Sequence, residues 1–170
     1  MIISSFFSQV VIGSISGKLA VYNESFSLIY LKLTAHSSFI WRIKEAQNGL
    51  VVTASYDGMV KVWNSRNNWN LVGTYTNHSN WVMSLVCISN DVMASGDLLG
   101  YVKIWSISLL TTTKTINAGR VVTSLALLNN GFHLASGHDN GSIKIWNINN
   151  SSQFKTLSGH TFDVNDLKKL

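Results

Sequence analysis

The residues whose types could do chemistry together are a histidine, a hydroxyl and a carboxylate, at His36, Thr53 and Asp57. Side chains of these types form the base, nucleophile and orienting acid of hydrolases, and Thr53 would then be the nucleophile. A triad is recognised by geometry and exposure, however, and the same types return at His78 and Ser95, where a single catalytic site would need them once. We therefore favour a buried hydrogen-bond network that satisfies polar groups inside a strand-rich core.

Metal and nucleotide sites are not indicated. The chain has five histidines and one cysteine, Cys87, and no Cys or His residues stand at the spacing of a zinc site. No glycine-rich phosphate-binding loop of the Walker or dinucleotide type is present. The sequence therefore predicts no metal, no cofactor and no enzymatic activity.

Composition excludes several classes of protein. Hydrophobic residues make up 46% and charged residues 12% of the chain, which is too apolar for a disordered tail. No run approaches the ~18 apolar residues of a membrane-spanning helix, and from the first residues, which lack a basic region, we expect no secretory signal. The net charge of +5 is not clustered, because Lys61, Lys103 and Lys144 fit the solvated face of strands, so we do not expect a dedicated nucleic-acid surface. A lone cysteine fits a reducing intracellular compartment, cytoplasmic or nuclear.

A repeat of about forty residues organises the whole chain. Its glycines, spaced by 41, 42 and 41 residues, are Gly17, Gly58, Gly100 and Gly141. Aromatic residues keep the same spacing at Tyr22, Trp63, Trp105 and Trp146. The predicted units are approximately 1–35, 36–77, 78–117 and 118–159, and a fifth unit starts at 160–170.

The sequence pattern within each unit predicts β-strands. Segments such as Val60–Trp63 alternate with period two, and Asp57-Gly58 and Asn140-Gly141 are strong hairpin signals because glycine tolerates positive φ. One four-stranded sheet of this size could not bury both faces, whereas neighbouring sheets that stack bury them. The sequence therefore predicts an all-β fold.

This pattern resembles the WD-repeat (WD40-type) β-propeller family, whose units form four strands with a Gly-His near the start and a Trp-Asp at the end. Gly159-His160 keeps the Gly-His pair, whereas Asn64, Ser106 and Asn147 replace the terminal Asp. The resemblance implies a β-propeller segment of about four four-stranded blades. We expect an incomplete ring; the alternative is a closed four-bladed ring in which the strand at Val164 joins the first unit.

The resemblance also implies a structural network of His, Ser or Thr, Asp and Trp within a unit. The second unit has the complete set: His36, Thr53, Asp57 and Trp63. The third unit has His78, Ser95 and Trp105, with Leu99 at the Asp position. The fourth has Ser136 and Trp146, with Ala118 and Asn140 in the places of His and Asp.

In propellers that this chain resembles, loop residues on the narrow top face bind partners. The positions implied here are Phe39, Trp41, Tyr56, Trp81, Met83, Leu98, Thr123 and Asp139. Large aromatic residues dominate interface energies, although Phe39 and Trp81 could instead pack between blades. We expect a protein-interaction scaffold in a multi-subunit complex, with possible self-association through open blade edges. The alternatives are the propeller portion of a larger signalling enzyme or ATPase, or a weak nucleic-acid-binding surface.

Overall fold

The computed structural model of the chain describes residues 2–6, 9–128 and 131–168, and for residues 2–6 only the backbone is considered. These residues form four antiparallel sheets, each built from four strands consecutive in the chain. The predicted all-β fold of four four-stranded units is confirmed. Within the described residues the only helical segment is the 3-10 turn Gln47–Gly49, so no helix there is long and apolar enough to cross a membrane.

The strands follow one another without crossovers. The first sheet contains β1 (Ile2–Phe6), β2 (Gln9–Gly13), β3 (Leu19–Tyr22) and β4 (Leu28–Lys32). The second contains β5 (Ile40–Glu45), β6 (Leu50–Ser55), β7 (Val60–Asn64) and β8 (Asn70–Tyr75). The third contains β9 (Val82–Cys87), β10 (Val92–Asp97), β11 (Tyr101–Ser106) and β12 (Thr112–Asn117). The fourth contains β13 (Val122–Leu127), β14 (His133–His138), β15 (Ile143–Asn147) and β16 (Gln153–Leu157).

The hairpin between β6 and β7 shows why the sequence fixes the register. Gly58 has φ of +81°, which its missing Cβ permits at little cost, and Asp57 Oδ1 accepts a hydrogen bond from the Met59 amide at 2.9 Å. The turn sets Thr53 opposite Lys61 and Val51 opposite Trp63. Because side chains alternate across a strand, Val51, Thr53 and Trp63 share one face of the sheet.

The chain divides into two compact units, Met1–Val82 and Met83–Leu170. In the first, β5 packs on β1 and β2. The contact is close because β2 ends in a glycine: a Cβ on Gly13 would lie 2.7 Å from Ile40 Cγ2. The buried residues of this core are Val11, Leu19, Val21, Ala35, Ile40, Ile43, Val51, Trp63 and Trp69.

The second unit repeats this arrangement. β13 packs on β10, and Val122 lies so close to Gly96 that a Cβ there would clash. After β16, Val164 packs on Gly137 in the same manner, and its amide donates to the His138 carbonyl at 3.1 Å. The buried residues of the core between its two sheets are Ala94, Val102, Ile104, Ile116, Ala118, Val122, Leu125, Leu134 and Trp146.

Candidate partner-binding site

The network of the second sheet joins its four side chains by hydrogen bonds. His36 Nδ1 lies 2.8 Å from Asp57 Oδ2, and His36 Nε2 lies 2.7 Å from Thr53 Oγ1. Trp63 Nε1 donates to Thr53 Oγ1 at 2.9 Å. Since the carboxylate only accepts, His36 donates through Nδ1 and its Nε2 accepts the Thr53 hydroxyl proton.

Burial and charge fix the protonation of this network. Burial lowers the pKa of His36, against the opposing pull of Asp57, so the ring is neutral near pH 7. Burial alone would raise the pKa of Asp57, but hydrogen bonds from His36 and from the Met59 and Ser37 amides outweigh it and hold that pKa at about 2. Thr53 is fully buried and His36 is 3% exposed, so no substrate can reach this hydroxyl. The arrangement stabilises the sheet.

The third and fourth sheets keep parts of the network. Trp105 Nε1 donates to Ser95 Oγ at 3.1 Å, and Trp146 Nε1 donates to Ser136 Oγ at 2.7 Å. His78 is buried in the first compact unit, with its ring 5.9 Å from that of Tyr75. The tryptophan-to-hydroxyl bond is therefore the element that all three sheets share.

His138 supplies a histidine to the fourth sheet that the sequence reasoning missed. Its Nε2 lies 2.8 Å from Ser136 Oγ, and its Nδ1 lies 3.0 Å from the Val121 carbonyl oxygen. The ring therefore donates through Nδ1 and accepts through Nε2, and burial lowers its pKa. The signal was available, because His138 and Ser136 are two residues apart on one strand and so share a face.

The repeated lysines do not project freely into solvent, which corrects the expectation of a solvated strand face. Lys61 Nζ donates to the Ala35 carbonyl at 2.5 Å, and Lys144 Nζ donates to the Ala118 carbonyl at 2.7 Å. Lys103 Nζ lies 5.8 Å from the centre of the Tyr101 ring. All three lysines are half-buried, and two of them bind backbone carbonyls of the loops that precede β5 and β13.

Four of the predicted partner-binding residues come together in the first compact unit. We call Phe39, Trp41, Tyr56 and Trp81 the aromatic cluster. The Tyr56 and Trp81 rings stack with centroids 4.2 Å apart and planes 5° apart, and Trp41 stacks on Tyr56 at 5.2 Å. Phe39 meets Trp41 edge-on at 5.1 Å and Tyr56 edge-on at 5.4 Å.

Backbone contacts hold the aromatic cluster in place. The Tyr56 amide donates to the Phe39 carbonyl at 3.0 Å, and the Trp81 amide donates to Asn80 Oδ1 at 2.8 Å. Trp81 is 43% exposed, whereas the other three rings are half-buried. Burial raises the pKa of Tyr56, so its hydroxyl stays protonated. A rigid aromatic surface with one open edge results.

Trp41 carries two further features. Its indole Nε1 is buried and has no hydrogen-bond partner within the described part of the chain. The Arg42 guanidinium lies 5.4 Å from the Trp41 ring centroid and donates to the Trp41 carbonyl at 3.2 Å. The aromatic cluster therefore presents apolar surface beside the positive charge of Arg42.

The other four predicted positions lie in the second compact unit. Thr123 is 7% exposed, and its Oγ1 lies 2.7 Å from the Val164 carbonyl oxygen, so the hydroxyl holds the backbone. Asp139 accepts from Arg120 Nε at 3.1 Å. Met83 and Leu98 are half-buried. Over the described ranges, no three His, Cys, Asp or Glu side chains stand where they could hold a metal ion together.

Comparison with known proteins decides the family. The family model described as "WD domain, G-beta repeat" matches residues 28–64, 69–106 and 110–147. The chain belongs to the WD40 repeat family. Each matched segment begins at or near the last strand of one sheet and ends with the third strand of the next, so the WD40 sequence repeat is offset from the four-stranded sheet.

Two curated relatives and one solved structure are similar to this WD40 chain. Apoptotic protease-activating factor 1 of Rattus norvegicus is 31% identical over 122 residues, which are 70% of this chain and 10% of that protein. Pre-mRNA-processing factor 19 homolog 2 of Arabidopsis thaliana is 26% identical over 159 residues, 89% of this chain and 30% of that protein. The WD40 β-propeller domain of Doa1 superposes with a TM-score of 0.84 at 23% identity, over 98% of this chain and 55% of that chain. The chain thus spans less than a third of either curated relative.

Proposed function

We propose that this chain is a non-catalytic WD40 interaction scaffold, and that it binds a partner protein through the aromatic cluster. The supporting observation is the stack itself: Trp81 is 43% exposed and rests on Tyr56, which rests on Trp41. Rings already ordered in the free protein lose little conformational freedom when a partner binds, so more of the contact energy becomes affinity.

The chemistry of the cluster favours a protein segment that presents an aromatic or aliphatic side chain to Trp81. Half-exposed aromatic rings with a buried base are typical of the residues that dominate interface energies. Arg42 beside Trp41 adds a cation that favours an acidic group next to the apolar anchor. We therefore propose an apolar anchor flanked by a carboxylate as the partner's contact element.

Affinity capture with paired variants tests this proposal. Trp81→Ala removes the exposed ring, and Phe26→Ala is its matched control, because Phe26 is 80% exposed and lies outside the cluster. We expect proteins retained by the wild type and by Phe26→Ala to be lost with Trp81→Ala, while circular dichroism is unchanged. Equal retention by all three chains would refute the cluster as the binding surface.

Met83, Leu98, Thr123 and Asp139 remain proposed contact positions of lower rank. Met83 and Leu98 are half-buried apolar residues that single alanine variants can probe in the same capture experiment. The Thr123 hydroxyl is engaged with backbone oxygens, and the Asp139 carboxylate is paired with Arg120. We expect the alanine variants of these last two to retain the partner.

We place this scaffold in a multi-subunit complex in a reducing intracellular compartment, cytoplasmic or nuclear. Cys87 is the single cysteine and is partly buried, so the chain has no internal disulfide bond. Self-association through open blade edges belongs to the same proposal, because every residue of β16 is exposed. Co-purification at defined stoichiometry from a nuclear or cytoplasmic fraction tests the proposed complex and its compartment. Recovery only as a free chain would contradict the complex.

A second candidate function is the propeller portion of a larger signalling enzyme or ATPase. The observation that favours it is the similarity to apoptotic protease-activating factor 1, because the aligned residues make up only 10% of that protein. Sequencing the transcript on both sides of this segment tests it, since an adjoining nucleotide-binding domain would support it.

Nucleic-acid binding is disfavoured because Lys61, Lys144 and Lys114 donate to backbone carbonyls. Salt-dependent retention on heparin tests that point.

A further inference from the structure

Lys61 lies on the face of the second sheet that carries the hydrogen-bond network. The register pairs Lys61 with Thr53 across β6 and β7. Cross-strand partners share a face, and so do residues two apart on one strand, so the Lys61 side chain projects beside those of Thr53 and Trp63. Its Nζ donates to the Ala35 carbonyl, 26 residues earlier, at 2.5 Å. A residue of β7 therefore holds the loop that leads from β4 to β5.

The Ala35 carbonyl depends on this bond. Ala35 is fully buried, and among the described residues Lys61 provides the one hydrogen bond found for its carbonyl oxygen. A buried acceptor without a donor costs the desolvation penalty of that group, and a charged donor makes a stronger bond than a neutral one. Loss of the ammonium group therefore favours an arrangement of the loop that exposes this carbonyl to water.

The peptide group between Ala35 and His36 is bonded on both sides. Its carbonyl accepts from Lys61, and its N–H donates to the Gly17 carbonyl, in the hairpin of β2 and β3, at 2.9 Å. Hydrogen bonds linked in this way polarise and strengthen one another. The approach is close, because a Cβ on Gly17 would clash with the His36 carbonyl. The beginning of the loop is thus fixed between two hairpins.

The remainder of the loop, residues 35–39, leads into the aromatic cluster. The Ser37 amide donates to Asp57 Oδ2 at 3.0 Å. Two residues later the Phe39 carbonyl accepts from the Tyr56 amide at 3.0 Å, and the Phe39 ring meets two rings of the cluster edge-on. These anchors belong to the hairpin of β6 and β7, so a displacement at the start of the loop changes how Phe39 packs on Tyr56 and Trp41.

The fourth sheet contains the same kind of bond away from the aromatic cluster. Lys144 is paired with Ser136 across β14 and β15. Its Nζ donates to the Ala118 carbonyl, also 26 residues earlier, at 2.7 Å, and Ala118 is only 1% exposed. Because Ala118 stands in the place of the network histidine, this lysine holds its loop in a sheet where the network is incomplete. The lysine bond is therefore a device separate from the four-residue network.

Both lysines also act on a buried histidine beside them. Burial is the main cause that lowers the pKa of His36, and the charge of Lys61 lowers it further. Burial likewise lowers the pKa of His138, and the charge of Lys144 adds to that effect. The two lysines thus favour the neutral ring, which accepts a hydroxyl proton from its sheet.

We propose that Lys61 is the positioning residue of the aromatic cluster, and that its charged amine holds the loop of residues 35–39 in the form that binds a partner. This inference rests on the proposed function and gives the binding surface a control point outside the surface itself. When the charged donor is removed, the loop loosens, Phe39 loses its edge-on contacts, and the partner is bound more weakly.

Fluorine NMR of the full chain labelled with fluorotryptophan tests the positioning role without a partner. Lys61→Met keeps the aliphatic stem but removes the donor, so the resonances of Trp41 and Trp81, each assigned from its phenylalanine variant, should shift or broaden. Lys144→Met is the matched control, because it breaks the same kind of bond in the other compact unit, and it should leave both resonances unchanged. Lys61→Arg keeps a charged donor and should restore the wild-type spectrum.

Unchanged resonances of Trp41 and Trp81 in Lys61→Met, or equal changes in Lys144→Met, would overturn the proposal. Should Lys61→Met not fold, Lys61→Gln takes its place, since it carries a neutral donor on a shorter side chain, and it is judged by the same two resonances.

Affinity capture connects the loop with binding. The lysate proteins that the wild type retains and Trp81→Ala loses should fall about tenfold with Lys61→Met, because the buried carbonyl lacks its donor in the bound form. They should stay at the wild-type level with Lys144→Met. Loss with Trp81→Ala but full retention with Lys61→Met would refute the role of Lys61 alone. Full retention with Trp81→Ala would refute the proposed binding surface, whereas the NMR result stands without a partner.

Discussion

The indole ring of Trp81 lies flat on the phenol ring of Tyr56, with centroids 4.2 Å apart and planes 5° apart. Tyr56 in turn stacks on Trp41, so the three rings form one stack. Trp41 lies on β5, Tyr56 lies in the turn between β6 and β7, and Trp81 directly precedes β9. The first compact unit thus orders an aromatic surface before any partner arrives, and only Trp81 is substantially exposed.

Trp81→Ala should reduce stability only slightly while it removes binding. An exposed stacked ring contributes about 0.5–1.5 kcal/mol beyond its buried area. Because Trp81 is 43% exposed and therefore also loses some buried area, we expect the free energy of unfolding, measured by urea titration, to fall by about 2 kcal/mol. A loss as large as that caused by a core tryptophan, about 3–5 kcal/mol, would show that Trp81 is part of the core and not a contact residue.

Two tryptophan-to-phenylalanine changes should distinguish an indole N–H that donates a hydrogen bond from one that has no acceptor within the described chain. Trp63→Phe removes the donor to Thr53, whose oxygen is buried, and should cost about 2 kcal/mol or more. Trp41→Phe removes an Nε1 that has no partner within the described chain, so relief of that buried donor offsets the lost area. Urea titration of both variants should therefore show a clearly larger loss for Trp63→Phe; equal losses would contradict the hydrogen-bond assignment.

His138→Ala should destabilise the fourth sheet. The ring is fully buried and bonds Ser136 and the Val121 carbonyl, so its removal leaves a cavity and takes one hydrogen-bond partner from each of these two groups. We expect a loss of about 2–4 kcal/mol by thermal or urea unfolding. His133→Ala is the comparison, because His133 is only half-buried, and it should cost clearly less.

Stability should fall with acid in two stages. Burial lowers the pKa values of His36 and His138 in the folded chain, so the unfolded chain binds more protons and stability declines once pH falls below about 6.5. The pKa of Asp57 is about 2 when folded, so its contribution is present above about pH 4 and is lost towards pH 2. Asp57→Asn should flatten the lower stage in urea titrations across pH; an unchanged profile would contradict the His36–Asp57 bond.

Periodicity was sufficient to predict the fold. Glycines equivalent to Gly58 and aromatic residues equivalent to Trp63 recur with the same period of about 41 residues. A β-hairpin is the structure that combines a positive-φ turn with strands whose side chains alternate every second residue. The set of His36, Thr53, Asp57 and Trp63 followed from the family resemblance, and the structure joins these four side chains. Local sequence carries this information because each residue is fixed by its position within one sheet.

Other features depend on three-dimensional contacts that spacing does not encode. His138 replaces a loop histidine from a different position in the repeat, so a comparison by position left that role empty. The Lys61 amine reaches a carbonyl 26 residues earlier, which strand alternation alone assigns to solvent. The orphaned Nε1 of Trp41 depends on how neighbouring loops close over it, and no residue type signals that.

Hydroxyl-radical footprinting of the chain, free and in its purified native complex, tests partner binding through the aromatic cluster most directly. We predict that oxidation of Trp81 falls several-fold in the complex, while Phe26, which is 80% exposed and outside the cluster, is oxidised at its original rate. Unchanged oxidation of Trp81 in a complex that protects other surface residues would contradict the proposed binding site.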